Sequence, residues 1–199
     1  MKQLLSFLIL LLSYTAYSQN IDIRILRKID EHRMVLLDGA SVAISNSVSP
    51  ISIGAPIMIF GTGLIKKDQE LKQKGLMAGA SFLVSTVLTT SLKYAVNRAR
   101  PFETYPDIQK LSSGGSPSFP SGHTSDAFST ATSLSVAFPK WYVIAPSFTY
   151  ATWVGYSRIR LGVHYPSDVL AGAFVGAGSA FLCSKAQKLL NHRNRRNSN

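Results

Sequence analysis

The chain is 199 residues long, enough for one domain, and no linker-like segment divides it. Charged residues make up 16% and apolar residues 46%, so burial in lipid has to be considered beside burial in protein. The net charge of +11 suits nucleic acid, anionic lipid or a phosphorylated substrate. Because there is no Arg-rich recognition helix or stacking platform, nucleic acid is not expected as a partner. The single Cys183 excludes an internal disulfide and a cysteine-cluster metal site.

The N-terminus has the pattern of an export signal. Lys2 precedes an apolar run over residues 4–12, and Ala16 and Ser18 are small residues at the positions that a signal peptidase reads. We predict a signal peptide over residues 1–18, with an uncleaved first membrane helix as the alternative. In both cases the following residues leave the cytoplasm of a bacterial cell.

The next segment, residues 21–33, is predicted to be an amphipathic helix. Ile21, Ile25, Leu26 and Ile29 recur at helical spacing, with charged residues on the opposite face. Such a helix lies either on the protein or on the surface of a bilayer.

Six apolar stretches rich in Ala, Gly, Ser and Thr follow, at residues 34–48, 51–65, 76–92, 127–138, 141–156 and 169–184. Small residues let helices pack closely, so we predict an all-α helical bundle of about five to six core helices. Most stretches are shorter than the ~20 residues of a bilayer crossing; together they favour a membrane-embedded bundle. One domain is predicted over residues 19–191, followed by a basic disordered tail over 192–199.

Basic residues between the stretches predict an orientation. If the helices alternate across a membrane, one side carries Lys66, Lys67, Lys72, Lys74, Lys140 and the tail residues Lys185, Lys188, Arg193, Arg195 and Arg196. Because short cytoplasmic loops are enriched in Lys and Arg, that side is predicted to be cytoplasmic, with segments 93–123 and 157–168 in the periplasm. The pattern is imperfect, since the basic residues of segment 21–33 would also lie outside.

A first cluster of candidate functional residues is Lys93 with Arg100-Pro101. Lys93 ends the apolar stretch that begins near residue 76, and Pro101 is predicted to force an extended path after Arg100, so both cations can point into one space. Cations that merely reach out from a helix end are the alternative.

A second cluster is Pro120-Ser121-Gly122-His123, directly before an apolar helical run. A helix start there offers free backbone N–H groups that hold an anion, and His123 can give or take a proton beside it. An ordinary Ser cap with a surface histidine is the alternative.

A third cluster is Ser157-Arg158, His164 and Asp168. Asp168 follows His164 by four residues, so its carboxylate can accept a proton from one imidazole nitrogen and leave the other as a nucleophile. A helix-capping role for Asp168 is the alternative.

In combination the clusters read Lys-x6-Arg-Pro, Pro-Ser-Gly-His and Ser-Arg-x5-His-x3-Asp, in this order. This arrangement resembles the three-part signature of the type 2 phosphatidic acid phosphatase superfamily, and every defining position matches. The resemblance covers residues 76–184 and is absent from the N-terminal part. It extends to membrane lipid phosphatases, bacterial acid phosphatases and vanadium haloperoxidases.

The resemblance implies a role for each matched residue. His164, oriented by Asp168, attacks phosphorus, while His123 protonates the leaving oxygen and then activates the water that releases phosphate. No metal or other cofactor is expected, because three fixed cations provide the neutralisation that Mg²⁺ gives elsewhere. The groups implied to hold the phosphate oxygens are Lys93, Arg100, Ser121, the backbone of Gly122 and Arg158.

The resemblance leaves several functions open. The first is a lipid phosphatase of the bacterial inner membrane whose active site faces the periplasm, acting on phosphatidic acid, phosphatidylglycerol phosphate, undecaprenyl pyrophosphate or a lipid A phosphate. The second is a soluble periplasmic acid phosphatase of broad specificity, which the mean hydropathy of +0.13 favours. A vanadium haloperoxidase is disfavoured because those enzymes are generally longer, and a non-enzymatic relic because no catalytic position is missing. Motif spacing carries no code for the substrate.

Overall fold

The computed structural model describes the backbone of residues 21–197 and the side chains of residues 21–190. The predicted signal peptide at 1–18 lies outside the described residues, as do the side chains of the predicted tail at 192–199. The described part contains helices and no strands, which confirms the predicted all-α bundle. Its helices are α1 (21–31), α2 (Leu36–Asn46), α3 (Val48–Ile65), α4 (Gln69–Val96), α5 (Pro101–Thr104), α6 (Gly122–Ala137), α7 (Trp141–Arg160) and α8 (Pro166–Asn197).

Each predicted apolar stretch lies within or overlaps a helix. Helix α2 is shorter than the stretch predicted at 34–48, whereas α4, α7 and α8 extend further than theirs. Asp68 begins α4, because its Oδ1 accepts hydrogen bonds from the backbone N–H groups of Glu70 at 2.8 Å and Leu71 at 3.1 Å. Asn97 ends α4 by adopting a left-handed conformation (φ 48°). The helix is therefore 28 residues long, starting before residue 76 and continuing beyond Lys93.

Three helical stretches of the described chain are long and apolar enough to cross a membrane: Leu36–Ile65, Gln69–Thr104 and Pro166–Leu190. The distribution of side chains agrees with burial in lipid. Large apolar side chains face outward, with Leu36 87% and Phe174 78% exposed, whereas Ser52 and Ser85 are buried between helices. Small and hydroxyl-bearing residues inside and large apolar residues outside are typical of membrane helix bundles.

Helix α1 packs against the protein through a face that only partly coincides with the predicted one. Leu26 of the predicted face is buried and forms a cluster with Ile23 and Ile108, whereas Ile21 and Ile25 remain exposed. The amphipathic helix is confirmed, but its buried face is shifted towards Ile23. Tertiary contacts with the segment after α5 determine which face is covered.

Helices α6 and α8 cross at very short distance. A Cβ atom at Gly176 would lie 2.1 Å from the backbone oxygen of Ser125, so only glycine allows the two backbones to approach this closely. This crossing brings the start of α6 beside the start of α8, where the second and third motifs lie.

The loops of the bundle lie at two ends. At one end, Lys74 Nζ lies 4.9 Å from the centre of the Phe138 ring, and Gln187 Nε2 donates to the backbone oxygen of Gln73 at 3.0 Å. These contacts place the α3–α4 turn, the α6–α7 turn and the distal part of α8 at the same end of the bundle. The three segments carry most of the basic residues that are predicted to be cytoplasmic. At the other end, the backbone N–H of Ser118 donates to the oxygen of Arg98 and that of Leu111 to Leu161, which joins the motif-bearing segments.

We predict that Gly176→Ala lowers the stability of the protein by about 1–3 kcal/mol, because the added methyl group forces α6 and α8 apart. The thermal unfolding midpoint in detergent measures this. Gly178→Ala on the same helix is the matched control, since its Cβ meets no atom within 4 Å and alanine favours a helix by up to about 1 kcal/mol. Equal midpoints for the two variants would contradict the predicted crossing.

Candidate active site

A polar cavity of about 230 Å³ lies at the end of the bundle where α4 and α7 finish and α6 begins. All three predicted motifs contribute to it, together with the segment 112–117 that precedes the second motif. The lining residues are Lys93, Arg100, Ser113, Gly114, Gly115, Ser116, Gly122, His123, Arg158 and His164.

The first motif brings two cations to this cavity. Lys93 lies on the last turn of α4 and is 9% exposed, and Arg100 is 4% exposed. Arg100 itself is extended (ψ 158°), as expected before proline, but Pro101 begins the short helix α5 instead of an extended path. Left-handed Asn97 and extended Arg100 together turn the chain back so that both cations reach the cavity.

Arg158 is the third cation and comes from the last turn of α7. Its guanidinium is 1% exposed and donates to the hydroxyl of Ser45 on α2 and to the hydroxyl of Ser112 at 3.3 Å. Because Ser45 and Ser112 approach from different segments, the side chain has a fixed direction.

Backbone oxygens of the segment 112–117 contact all three cations. Arg158 donates to the oxygen of Ser113 at 3.3 Å, Arg100 Nε to that of Ser116 at 2.8 Å, and Lys93 Nζ to that of Pro117 at 2.6 Å. This segment, which we call the carbonyl loop, therefore places partial negative charge beside each cation. No sequence pattern indicates that the carbonyl loop contacts the cations.

His164 and Asp168 are almost completely buried, at 2% and 0% exposure. Nδ1 of His164 lies 3.5 Å from Oδ2 of Asp168, and Nε2 lies 3.5 Å from Nη1 of Arg100. Oδ2 of Asp168 also accepts from the Ser118 hydroxyl at 2.5 Å and from the Tyr165 backbone N–H at 2.9 Å. The pair is arranged with one imidazole nitrogen towards Asp168 and the other near a cation of the cavity.

Both cavity histidines lie outside the three candidate membrane spans. Burial lowers the pKa of His164 to about 3, with Asp168 opposing the effect and Arg100 and Arg158 adding to it. Burial, followed by the charges of Arg158, Arg100 and Lys93, lowers the pKa of His123 to about 4. Both imidazoles are therefore neutral at neutral pH in the empty site, which leaves Nε2 of His164 available as a nucleophile if the proton resides on Nδ1.

The second motif is only partly exposed to the cavity. Gly122 and His123 line it, at the first turn of α6. Ser121 is 0% exposed, is not among the lining residues, and its hydroxyl accepts a hydrogen bond from Thr124 at 2.9 Å. The structure thus places Ser121 behind the cavity wall, at the N-cap of α6.

Two residues without a predicted role contact Asp168. Buried Ser118 donates to Oδ2, and half-buried Arg98 donates from Nη1 to Oδ1 at 2.7 Å. A signal existed for each, since Ser118 lies two residues before Pro120 of the second motif and Arg98 lies between the two cations of the first. Neither position has a spacing rule that connects it to Asp168, which lies 70 residues beyond Arg98.

Among the described side chains, no group of three or more His, Cys, Asp or Glu residues is arranged to hold a metal ion. The side chains that line the cavity are cations, imidazoles and hydroxyls, which suit an oxyanion better than a metal cation. A tetrahedral oxyanion in this cavity would meet three cations and two imidazoles.

The absence of a side chain at Gly114 leaves room for the Arg100 guanidinium, because a Cβ atom at Gly114 would lie 2.6 Å from Nη1 of Arg100. We predict that Gly114→Ala displaces the guanidinium and weakens inorganic phosphate binding about tenfold, because a hydrogen bond to a charged group contributes ~1.5–3 kcal/mol. Isothermal titration with phosphate measures this. Gly115→Ala in the same loop meets no atom within 4 Å, so its affinity should stay closer to that of the unmodified chain; the reverse order would contradict the prediction.

The chain is similar in sequence to known proteins. The chain is 33% identical over 122 residues to an undecaprenyl-diphosphatase of Sulfolobus acidocaldarius, covering 61% of this chain and 59% of that protein. It is 38% identical over 104 residues to a lipid A 1-phosphatase of Rhizobium johnstonii, covering 49% of this chain and 41% of the relative. The chain thus spans about half the length of these curated relatives.

A similar fold occurs in the crystal structure of a transmembrane PAP2-type phosphatidylglycerolphosphate phosphatase from Bacillus subtilis. The TM-score is 0.73 at 26% sequence identity, with 92% of this chain and 94% of that chain covered. Residues 74–191, which carry α4 to α8 and all three motifs, match the PAP2 superfamily. The chain therefore belongs to the PAP2 superfamily.

Proposed function

We propose that the chain is a metal-independent phosphatase that removes phosphate from a membrane lipid through a phosphohistidine intermediate. The observation that carries this proposal is the convergence of three cations and two neutral histidines on one cavity. Preorganised cations stabilise the charge of a phosphoryl transition state most effectively in a site with little water.

A lipid substrate is supported by the surroundings of the cavity. Three helical stretches are suited to crossing a membrane, and the similar proteins are named for undecaprenyl diphosphate, lipid A and phosphatidylglycerol phosphate. The cavity lies at the end of the bundle opposite the basic turns. By the positive-inside rule, that end faces the periplasm of a bacterial inner membrane, where a lipid phosphate in the outer leaflet can reach it.

In the first half of the proposed reaction, Nε2 of His164 attacks phosphorus and the bond to the lipid oxygen breaks. Lys93, Arg100 and Arg158 bind the phosphoryl oxygens, with the backbone N–H of Gly122 and the hydroxyl of Ser121 as further proposed donors. Ser121 needs a change of rotamer for this role, because its side chain is fully buried and does not line the cavity. A phosphate group in the cavity raises the pKa of His123, so that the imidazole takes up a proton, and His123 gives this proton to the leaving oxygen.

In the second half, His123 takes a proton from water as the water oxygen attacks phosphorus. The N–P bond to His164 breaks, and inorganic phosphate leaves. Asp168 fixes the proton of His164 on Nδ1 and stabilises the positive charge that the imidazole carries in the intermediate. The distance between Nδ1 and Oδ2, 3.5 Å in the structure, shortens in this mechanism when the imidazole becomes charged.

We predict that His164→Ala reduces phosphate release by about 10³-fold or more, as loss of a nucleophile does, and abolishes labelling of the protein by a radiolabelled substrate. His123→Ala should reduce turnover of an alkyl phosphate by about 10²–10⁴-fold while still forming the labelled intermediate from an aryl phosphate, whose leaving group needs no proton. EDTA should have no effect.

His32→Ala is the matched control for these substitutions, because His32 lies exposed just beyond α1 and its removal should leave activity unchanged. Labelling of His164→Ala, or inhibition by EDTA, would contradict the proposed mechanism.

We further predict that the detergent-purified protein hydrolyses at least one lipid phosphate with a higher kcat/KM than a soluble aryl phosphate. The panel comprises lipid A, a diacylglycerol phosphate, phosphatidylglycerol phosphate and a polyprenyl diphosphate, with released phosphate as the readout. Preference for the aryl phosphate, together with release of the chain from cells by osmotic shock without detergent, would favour the soluble acid phosphatase instead.

A further inference from the structure

Arg98 is a cation of the first motif segment that does not line the phosphate cavity. Its Nη1 donates to Oδ1 of Asp168 and to the hydroxyl of Ser167, both at 2.7 Å, and Nη2 donates to Oδ2 of Asp22 at 2.8 Å. The guanidinium also lies 3.9 Å from the centre of the Tyr165 ring. Arg98 is therefore held between two carboxylates and an aromatic face, behind the wall of the cavity.

Asp22 brings helix α1 into this arrangement. It is 3% exposed and accepts from the backbone N–H of Ser167 at 2.9 Å, from the Ser167 hydroxyl and from Arg98. Its two oxygens thus hold Ser167, which directly precedes Asp168 in the first turn of α8, and the cation that contacts Asp168. A residue from the N-terminal region, where the family signature has no motif, is thereby connected through Arg98 and Ser167 to the candidate catalytic pair.

Charges alternate along this chain of contacts, from Asp22 through Arg98 to Asp168. Oδ1 of Asp168 is turned towards Arg98, which leaves Oδ2 facing Nδ1 of His164 at 3.5 Å. Without Asp22, the positive charge of Arg98 would be directed at Asp168 alone, and the carboxylate would stabilise a positively charged imidazole less well. Without Arg98, Asp168 would lose the contact to Oδ1, and its carboxylate would be held only through Oδ2, by Ser118 and the Tyr165 backbone N–H.

We propose that Arg98 and Asp22 form a positioning pair that orients Asp168 and tunes its interaction with His164. This inference rests on the proposed function, because it concerns the same histidine. The pair does not touch substrate; it acts through Asp168. Its effect is therefore on the rate of the chemical step rather than on the binding of phosphate to the cations.

The test uses the full chain in detergent and measures kcat, KM and competitive inhibition by inorganic phosphate. Asp22→Asn and Arg98→Gln are each expected to reduce kcat about 10- to 100-fold, as small displacements of catalytic groups do, while KM and the phosphate inhibition constant change less than about threefold. A purely structural role would instead reduce the yield of folded protein and leave kcat per folded molecule unchanged.

The double variant Asp22→Asn/Arg98→Gln distinguishes action through Arg98 from independent effects. If Asp22 acts through Arg98, the double variant has the kcat of Arg98→Gln alone, whereas independent effects multiply. The double variant also keeps the test usable if Asp22→Asn alone fails to fold, because removing both charges of an ion pair is tolerated better than removing one.

Asp107→Asn is the matched control. It removes an Asp–Arg pair that also fastens α1, since Oδ2 of Asp107 accepts from Nε of Arg27 at 2.8 Å, but both side chains are about half exposed. Its kcat should equal that of the unmodified chain. Unchanged kcat in Asp22→Asn, or an equal loss in Asp107→Asn, would overturn the positioning pair, whereas an unmodified chain without phosphatase activity would overturn the proposed function itself.

Discussion

Lys93, Arg100 and Arg158 place three positive charges around one cavity, and each side chain is at most 9% exposed. Like charges with little water between them repel strongly. Backbone oxygens of the carbonyl loop contact all three. In the proposed function, a phosphoryl group in the cavity carries a full negative charge, so it relieves a repulsion that carbonyl dipoles only reduce. The proposed affinity for an oxyanion follows from this arrangement of charges.

Rigid packing keeps these charges together. Arg158 is fixed by hydroxyls from two segments, and Arg100 Nη1 donates to the backbone oxygen of Val163 at 2.9 Å. The close approach of α6 and α8 at Gly176 fixes the start of α6 relative to the start of α8. Because the large apolar side chains face outward, stability of the bundle depends on close backbone packing, and the same packing sets the distance between His123 and His164.

The sequence predicted the parts of this arrangement that follow from local pattern. Apolar stretches rich in small residues located the core helices, helical periodicity located α1, and motif spacing singled out both histidines and all three cations of the cavity. Contacts between distant segments were not accessible in this way. The buried face of α1 depends on Ile108, the orientation of Asp168 depends on Ser118 and Arg98, and the cations meet oxygens of the carbonyl loop. None of these contacts follows from residue type or spacing. The carbonyl loop in particular acts through backbone oxygens, which are the same at every position.

The same electrostatics determine the protonation of the site. Burial and the neighbouring cations hold the pKa of His123 at about 4 and that of His164 at about 3 before an anion arrives. A phosphate group between the histidines and the cations reverses the sign of the nearest charge, which raises both pKa values. In the proposed mechanism, His164 is thus neutral when it meets the substrate, while His123 gains its proton only together with the phosphate. Behind the site, charges alternate from Asp168 through Arg98 to Asp22, and in the proposed mechanism Asp168 counters the positive charge that forms on His164.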